Sequence, residues 1–365
     1  MSDCLIVGGG VIGLLTAREL HHAGASVTVV ERGALGGESS WAGGGIVSPL
    51  YPWRYSDAVN VLAEKSKQLY PGLCSQLLQE SGVDCELLQS DMLIVHDDEL
   101  HDAQHWAQLY GVELSHLPQA EILAAIEPRL AGSFASGLWL PQIRQLRNPK
   151  LVQALKGSCE TLGIQYLEHS EVRNLLIENS CVRGVRLETG ALTADSVIVA
   201  SGAWSATLLE DAAGVEKVEV EPVKGQMIML KTPPGFVSTI VMSQGHYIIP
   251  RQDGHVLCGS TLEFTGFEKS TPDETREQLM QYASGLIPEL AAYPVVRHWA
   301  GLRPGTRQGI PYICEYDGIE GLYLHAGHYR NGIVLGAASA KLMAQLVTGE
   351  QPWCDPAPYT LCAPH

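Results

Sequence analysis

The chain is short of positive charge. Its 24 lysines and arginines face 40 aspartates and glutamates, a formal charge of -16 with a pI near 5.2. No basic stripe remains to neutralise phosphates, so nucleic acid is not an expected partner, and an anionic substrate needs a local arginine to overcome the field. Long apolar runs are also missing. Leu5 to Leu15 is interrupted by four glycines and has no basic segment before it, so it does not read as a signal peptide. Gly332 to Val347 is broken by Lys341 and Gln345 and is too short for a bilayer, so no membrane span is expected. The nine cysteines form no C-x-x-C pair and no alternating Cys/His pattern, which fits reduced thiols in the cytoplasm and no metal site. Without a G-x-S-x-G, P-loop or H-E-x-x-H motif, hydrolase, phosphate-transfer and zinc-protease chemistry have nothing to stand on. What is present is a globular composition, 45% hydrophobic and 18% charged, over 365 residues.

Glycine is abundant, and its first cluster is informative. Asp3 to Val7 is an apolar run ending in Gly8-Gly9-Gly10-Val11-Ile12-Gly13, and Leu14 to His22 has helical composition. In this strand, turn and helix, Gly8 permits the tight turn, Gly10 lets backbone approach a pyrophosphate, and Gly13 packs the helix on the strand. The helix start then meets phosphate with unpaired N–H groups and partial positive charge. A second strand, Ser26 to Val30, delivers Glu31 eighteen residues after Gly13, where a carboxylate reaches ribose hydroxyls. The fingerprint marks a dinucleotide site without separating FAD from NAD.

Gly36 to Ile46 is a glycine-rich loop carrying Ser39 and Ser40, longer than an NAD domain needs. It fits either a segment running beneath a long cofactor or a mobile surface loop. Asn148 to Leu162 reads as a helix, Ile164 to Leu167 and Val182 to Glu188 as strands, and Ala194 to Ser205 as a buried strand entering a small-residue turn at Gly202. Near the end, strand Leu322 to Ala326 leads through Gly327-His328-Tyr329-Arg330-Asn331-Gly332-Ile333 into a helix to about Val347. That helix start either stabilises the negative charge of a reduced flavin or is simply capped.

Taken together, these segments resemble the FAD-dependent oxidoreductase family that includes D-amino acid oxidase, sarcosine oxidase and bacterial glycine oxidase. The motifs Ser39-Ser40-Trp41-Ala42-Gly43-Gly44-Gly45-Ile46, Tyr247-Ile248-Ile249-Pro250-Arg251, Gly301-Leu302-Arg303-Pro304-Gly305-Thr306 and Gly327 to Gly332 are most similar to the glycine oxidase branch of thiamine biosynthesis. The resemblance implies an α/β fold in which a Rossmann-like FAD domain (1–84, 146–217 and 301–365) carries an inserted α+β substrate domain (85–145 and 218–300) built on an antiparallel sheet. Alternating apolar residues over Cys85 to Val95 and Val218 to Ser260, with a helix over Asp273 to Ile287, agree with that division.

The resemblance further implies oxidative deamination of glycine, small amines or D-amino acids, with hydride passing from the α-carbon to flavin, oxygen as acceptor and peroxide released. Arg303 is the expected carboxylate grip, because a guanidinium forms two parallel bonds to that group. Tyr247 and Arg330 are expected beside it, and Ile46 and Leu262 as apolar pocket walls. Gly8, Gly10, Val11, Ile12, Gly13, Glu31, Arg32, Ser39, Ser40, Gly44, Gly45, Ile46, Val172, Gly202, His328, Tyr329, Arg330, Asn331, Gly332 and Ile333 are the expected cofactor contacts. FAD is expected to be non-covalent, since the surroundings of Cys314 do not match the cysteine attachment of sarcosine oxidases. Family members are often tetramers, so a homo-oligomer fits. The competing functions are a D-amino acid or sarcosine oxidase or dehydrogenase, a non-catalytic flavin-binding subunit, and an NAD-dependent dehydrogenase.

Overall fold

The computed structural model describes residues 3–96, 98–132, 134–210 and 218–365. The expected domain segments therefore include residues 1–2, 97, 133 and 211–217 that lie outside the described part.

In strand Asp3–Val7 the residues from Cys4 to Val7 are apolar and buried on both faces because the strand lies at the heart of a six-stranded sheet. The order is Tyr312–Glu315, Leu322–Ala326, Ser196–Val199, Asp3–Val7, Ser26–Val30 and Gln165–Leu167. All neighbours run parallel except the edge strand Tyr312–Glu315. One face of the sheet is covered by helices Val11–His22, Asp57–Ser81, Asn148–Leu162 and Gly332–Thr348. Gly336 lets the last of these approach the first closely, since a Cβ there would lie 3.0 Å from Leu15 Cδ1. The other face packs on a three-stranded antiparallel sheet, Val172–Glu178, Cys181–Leu187 and Gly190–Thr193.

Helix Asp57–Ser81 is not anticipated from the sequence, and it contains Pro71-Gly72, a pair that locally favours a turn. Tertiary packing overrides that signal: Tyr70 is fully buried and donates its hydroxyl to Ile333 O at the start of the last helix.

The second body is an eight-stranded sheet in the order Val295–Gly305, Glu221–Lys231, His255–Gly259, His246–Pro250, Ile240–Ser243, Met92–Val95, Ser136–Leu140 and Ser115–Pro118. It is antiparallel as expected but for one pair, Ile240–Ser243 with Met92–Val95. Those two strands are far apart in the chain, so no hairpin dictates their relative direction. Strand Val295–Gly305 pairs with Glu221–Lys231 from Val295 to Gly305, staying in this sheet past the expected boundary at 301. Among the described residues no helix is long and apolar enough to cross a membrane.

Candidate active site

A cavity of about 430 Å³ lies between the two bodies and runs from the first glycine turn to Arg303. At its nucleotide end the turn behaves as its residues require. Gly8 has φ +114°, and a Cβ there would lie 2.4 Å from Ala200 O. Gly13 does not line the cavity; a Cβ there would lie 2.0 Å from Gly8 O, which is the close helix–strand packing expected of it. Gly8, Gly10, Val11 and Ile12 do line it.

Glu31 lines the cavity, and both its oxygens are also tied to backbone. Oε2 accepts from Gly9 N at 2.8 Å and Oε1 from Gly33 N at 2.8 Å. Each oxygen keeps a further lone pair for a ligand hydroxyl. Arg32 stacks over Trp204, 3.6 Å from the ring centroid, and Val172 and Gly202 complete this end.

The loop from Gly36 to Ile46 is a structured wall rather than a mobile surface segment. Ser39–Ala42 forms a helical turn, Ser40 Oγ accepts from Val11 N at 2.8 Å, and Asn148 Nδ2 donates to Ser40 O at 2.9 Å. One of the helix-start N–H groups expected to meet phosphate is thereby used by Ser40, whose own proton stays available to the cavity. Trp299 Nε1 donates to Ala42 O at 3.0 Å. Arg251, buried and held down to about 10 by desolvation, donates to Gly44 O at 2.8 Å and Leu146 O at 2.9 Å. Ser39, Ser40, Gly44, Gly45 and Ile46 all line the cavity.

At the far end the two sheets converge. Strand Leu322–Ala326 delivers His328, Tyr329 and Arg330, with Gly332 and Ile333 opening the last helix, and all five reach the cavity. Asn331 does not; it is buried behind the wall, where its Nδ2 has no partner among the described residues. Arg303 and Tyr247 face the same space from the eight-stranded sheet and lie beside each other. Leu262, expected as a pocket wall, is 50% exposed and outside the cavity. Its neighbours Thr261 and Glu263 turn inward onto Gln226 and Lys224, and side chains alternate along extended chain, so Leu262 faces out. Met227 occupies the wall instead, with Tyr247 Oη 3.6 Å from its Sδ. A thioether is a weak acceptor, so that hydroxyl is available to a better one.

Among the described residues Arg303 is held without any carboxylate. Nη2 donates to Ser260 Oγ at 2.7 Å, and Nη1 to Lys224 O and Thr261 O, each at 3.3 Å. Burial, followed in size by the opposing influence of Tyr247 and then by Arg330, lowers its pKa from the ordinary arginine value. Gly225 makes room: a Cβ there would lie 2.2 Å from both Nη atoms. Arg330 likewise has no carboxylate within 4.0 Å among the described residues, as the ion pairs of the fold involve other groups. Two guanidinium charges thus face one cavity with no acid spent on either. The lining acids, Glu31, Glu38 and Glu171, belong to the neighbourhood of Arg32 and Val172.

Sequence reasoning assigned no role to His325, Met227, Trp204, Ser260 or Asn148, which also line the cavity. His325 is the most informative. Thr16 Oγ1 donates to Ile12 O at 2.8 Å and therefore accepts from His325 Nδ1 at 2.9 Å, leaving His325 Nε2 as a bare acceptor. That atom and Asn148 Oδ1 are buried without partners, which suits a cofactor bearing hydroxyl and N–H donors. His328 Nε2 lies 3.0 Å from Ser339 Oγ, which itself donates to Gly336 O.

Desolvation holds His328 down to about 3; desolvation first, then nearby His328, holds His325 well below the ordinary histidine value. Both pKa values are lower folded than unfolded, so their contribution to stability is complete above about pH 6.5 and is lost as pH falls toward the folded values. We expect unfolding free energy of the holo-protein to fall by roughly 1.4 kcal/mol per pH unit per histidine below about pH 6. Urea unfolding at successive pH values checks this, and a midpoint unchanged from about pH 7 to about pH 5 refutes it.

The described architecture matches known proteins along nearly its full length. A family model described as "FAD dependent oxidoreductase" matches residues 3–346. A glycine oxidase of Pseudomonas aeruginosa is 47% identical over 97% of each chain. The crystal structure of glycine oxidase from Geobacillus kaustophilus superposes with a TM-score of 0.92 at 30% identity, covering 99% of both chains. A "Bifunctional protein ThiO/ThiG" of Trichormus variabilis is 29% identical over 96% of this chain and 53% of its own length.

Proposed function

The chain belongs to the FAD dependent oxidoreductase family, and from that premise we propose that it is a glycine oxidase, converting glycine, oxygen and water to glyoxylate, ammonia and hydrogen peroxide. It is an FAD-dependent amine oxidase in reaction class. FAD, when bound, supplies the two-electron acceptor. The glycine turns, Glu31, Ser40 and the unpartnered acceptors His325 Nε2 and Asn148 Oδ1 are the groups suited to hold it. Cys314 is buried in the core away from the cavity lining, which supports non-covalent retention.

The observation that carries the substrate class is the guanidinium of Arg303, fixed on three neutral acceptors in a cavity of an acidic protein. Its charge is available to a substrate carboxylate, and Tyr247 can donate its hydroxyl to the same group. Arg330 adds a second positive charge, which favours the neutral form of an incoming amine and frees its lone pair. Among the described residues no carboxylate stands beside Arg303 to act as base, so the proton of the amine passes to water and the two guanidinium charges only shift that equilibrium toward the neutral amine. Ile46 and Met227 wall the space, which suits a small side chain. The fused relatives support a place supplying glycine imine to thiazole formation in thiamine biosynthesis. Nine free cysteines support a cytoplasmic setting, and we assign the cavity to the boundary between an FAD domain and an inserted substrate domain, with the last crossover after Gly305.

A peroxide-coupled assay across glycine, sarcosine and short D-amino acids tests the proposal. Peroxide with glycine supports it, preference for D-amino acids moves the enzyme to the D-amino acid oxidase branch, and absence of turnover with any amine overturns it.

A further inference from the structure

The acceptors that hold Arg303 are themselves held by one ionic knot around the buried Lys224. Ser260 and Thr261 follow strand His255–Gly259 and continue beside strand Glu221–Lys231, where Lys224 and Glu263 form an antiparallel bridge. There Thr261 Oγ1 accepts from Gln226 N at 2.9 Å, while Lys224 N donates to Glu263 O at 2.9 Å and Glu263 N to Lys224 O at 3.0 Å. Lys224 O therefore serves both the Glu263 amide and Arg303 Nη1.

The side chains converge on the same carboxylate. Glu263 accepts from Gln226 Nε2 at 2.8 Å and from the Thr261 hydroxyl, and pairs with Lys224 Nζ at 3.3 Å. Lys224 is only 2% exposed, and its other acid, Glu268, lies 3.1 Å away and is half exposed. Burial opposes ionisation of Glu263, but the Thr261, Gln226 and Lys224 donors outweigh it and keep the carboxyl below its ordinary value. A buried ammonium needs that charge, and without it Lys224 Nζ and Gln226 Nε2 would lose the acceptor they share, while Gln226 Oε1 already has no partner among the described residues.

We propose that Glu263 is a positioning residue for the substrate carboxylate: by binding Lys224, Gln226 and Thr261 it fixes the two backbone carbonyls on which the Arg303 guanidinium rests. It acts through Arg303 and does not itself meet substrate, since it lies outside the cavity lining. The inference rests on the reading of Arg303 as the carboxylate grip.

The test is a double-mutant cycle on the holoenzyme, with acetate as the probe and perturbation of the visible flavin band as the readout. Glu263→Gln should weaken acetate binding roughly tenfold, because a clamp displaced by a fraction of an ångström loses alignment with both carboxylate oxygens. It should raise KM for glycine more than it lowers kcat. In an Arg303→Met background, Glu263→Gln should change acetate affinity no further. An equal loss in both backgrounds, or no loss in the wild-type background, overturns the positioning role while leaving the Arg303 reading intact. If Arg303→Met alone leaves acetate affinity unchanged, both fail. Should Glu263→Gln lose flavin or soluble yield, Thr261→Val removes one donor to Glu263 at nearly constant volume and carries the same cycle.

Discussion

Exchanging Arg303 for methionine should lower kcat/KM for glycine by roughly 10²- to 10⁴-fold while the purified protein stays yellow. The magnitude follows from two charge-assisted bonds of about 1.5–3 kcal/mol each, with 1.36 kcal/mol per decade of rate. The loss is expected to be that large because the arginine makes no ion pair among the described residues: its three acceptors are a hydroxyl and two carbonyls. A guanidinium already bound to a carboxylate would have little left for substrate. Methionine preserves much of the apolar stem, and the side-chain partners left behind, Ser260 and the neighbouring Tyr247, are hydroxyls rather than a carboxylate. Steady-state kinetics together with flavin content separate this effect from damage to the cofactor site. Wild-type kcat/KM in the variant would remove the basis for an α-amino acid substrate.

The second large effect is expected at the opposite end of the cavity. Gly8→Ala should yield protein nearly free of FAD. A methyl group there lands 2.4 Å from Ala200 O and 2.7 Å from Ala200 C, and both are backbone atoms with no rotamer to change. The residue must also keep φ at +114°, a region L side chains rarely adopt. Strain and overpacking together cost about 2–5 kcal/mol, or roughly 30- to several-thousand-fold in cofactor affinity if the turn gives way. Gly72→Ala is the matched control, because it lies in helix Asp57–Ser81 with open space around it. Flavin absorbance per mole of protein, alongside circular dichroism, measures both. A Gly8→Ala protein with full flavin content and unaltered affinity would contradict this account of the turn.

The elements that the chain announces locally are found where their residues put them. Asn148–Leu162, Ser26–Val30 and Leu322–Ala326 have the bounds expected from their apolar patterns. Helix Asp57–Ser81 is not anticipated, and its Pro71-Gly72 pair is a local turn signal that burial of Tyr70 and the contacts of the helix outweigh. The loop from Gly36 to Ile46 was ambiguous because its partners come from elsewhere: Asn148, Arg251 and Trp299. Leu262 was misassigned for a related reason. Motif position does not tell which face of an extended segment turns inward, and here Thr261 and Glu263 took that face.

By itself, then, the amino-acid order determined the nucleotide end of the molecule. A turn, a helix start and an acid within about thirty residues of one another are bound by local geometry, and glycine is required there whatever surrounds it. Only the tertiary structure decided the substrate end. Ile46, Tyr247, Arg303, His328 and Arg330 meet because two sheets close on each other, through registers such as Val223 opposite Arg303 and Gly225 opposite Gly301. Whether an arginine is free to bind a ligand depends on which acids lie within a few ångströms of it, and that is a property of three-dimensional neighbours that spacing along a chain does not encode.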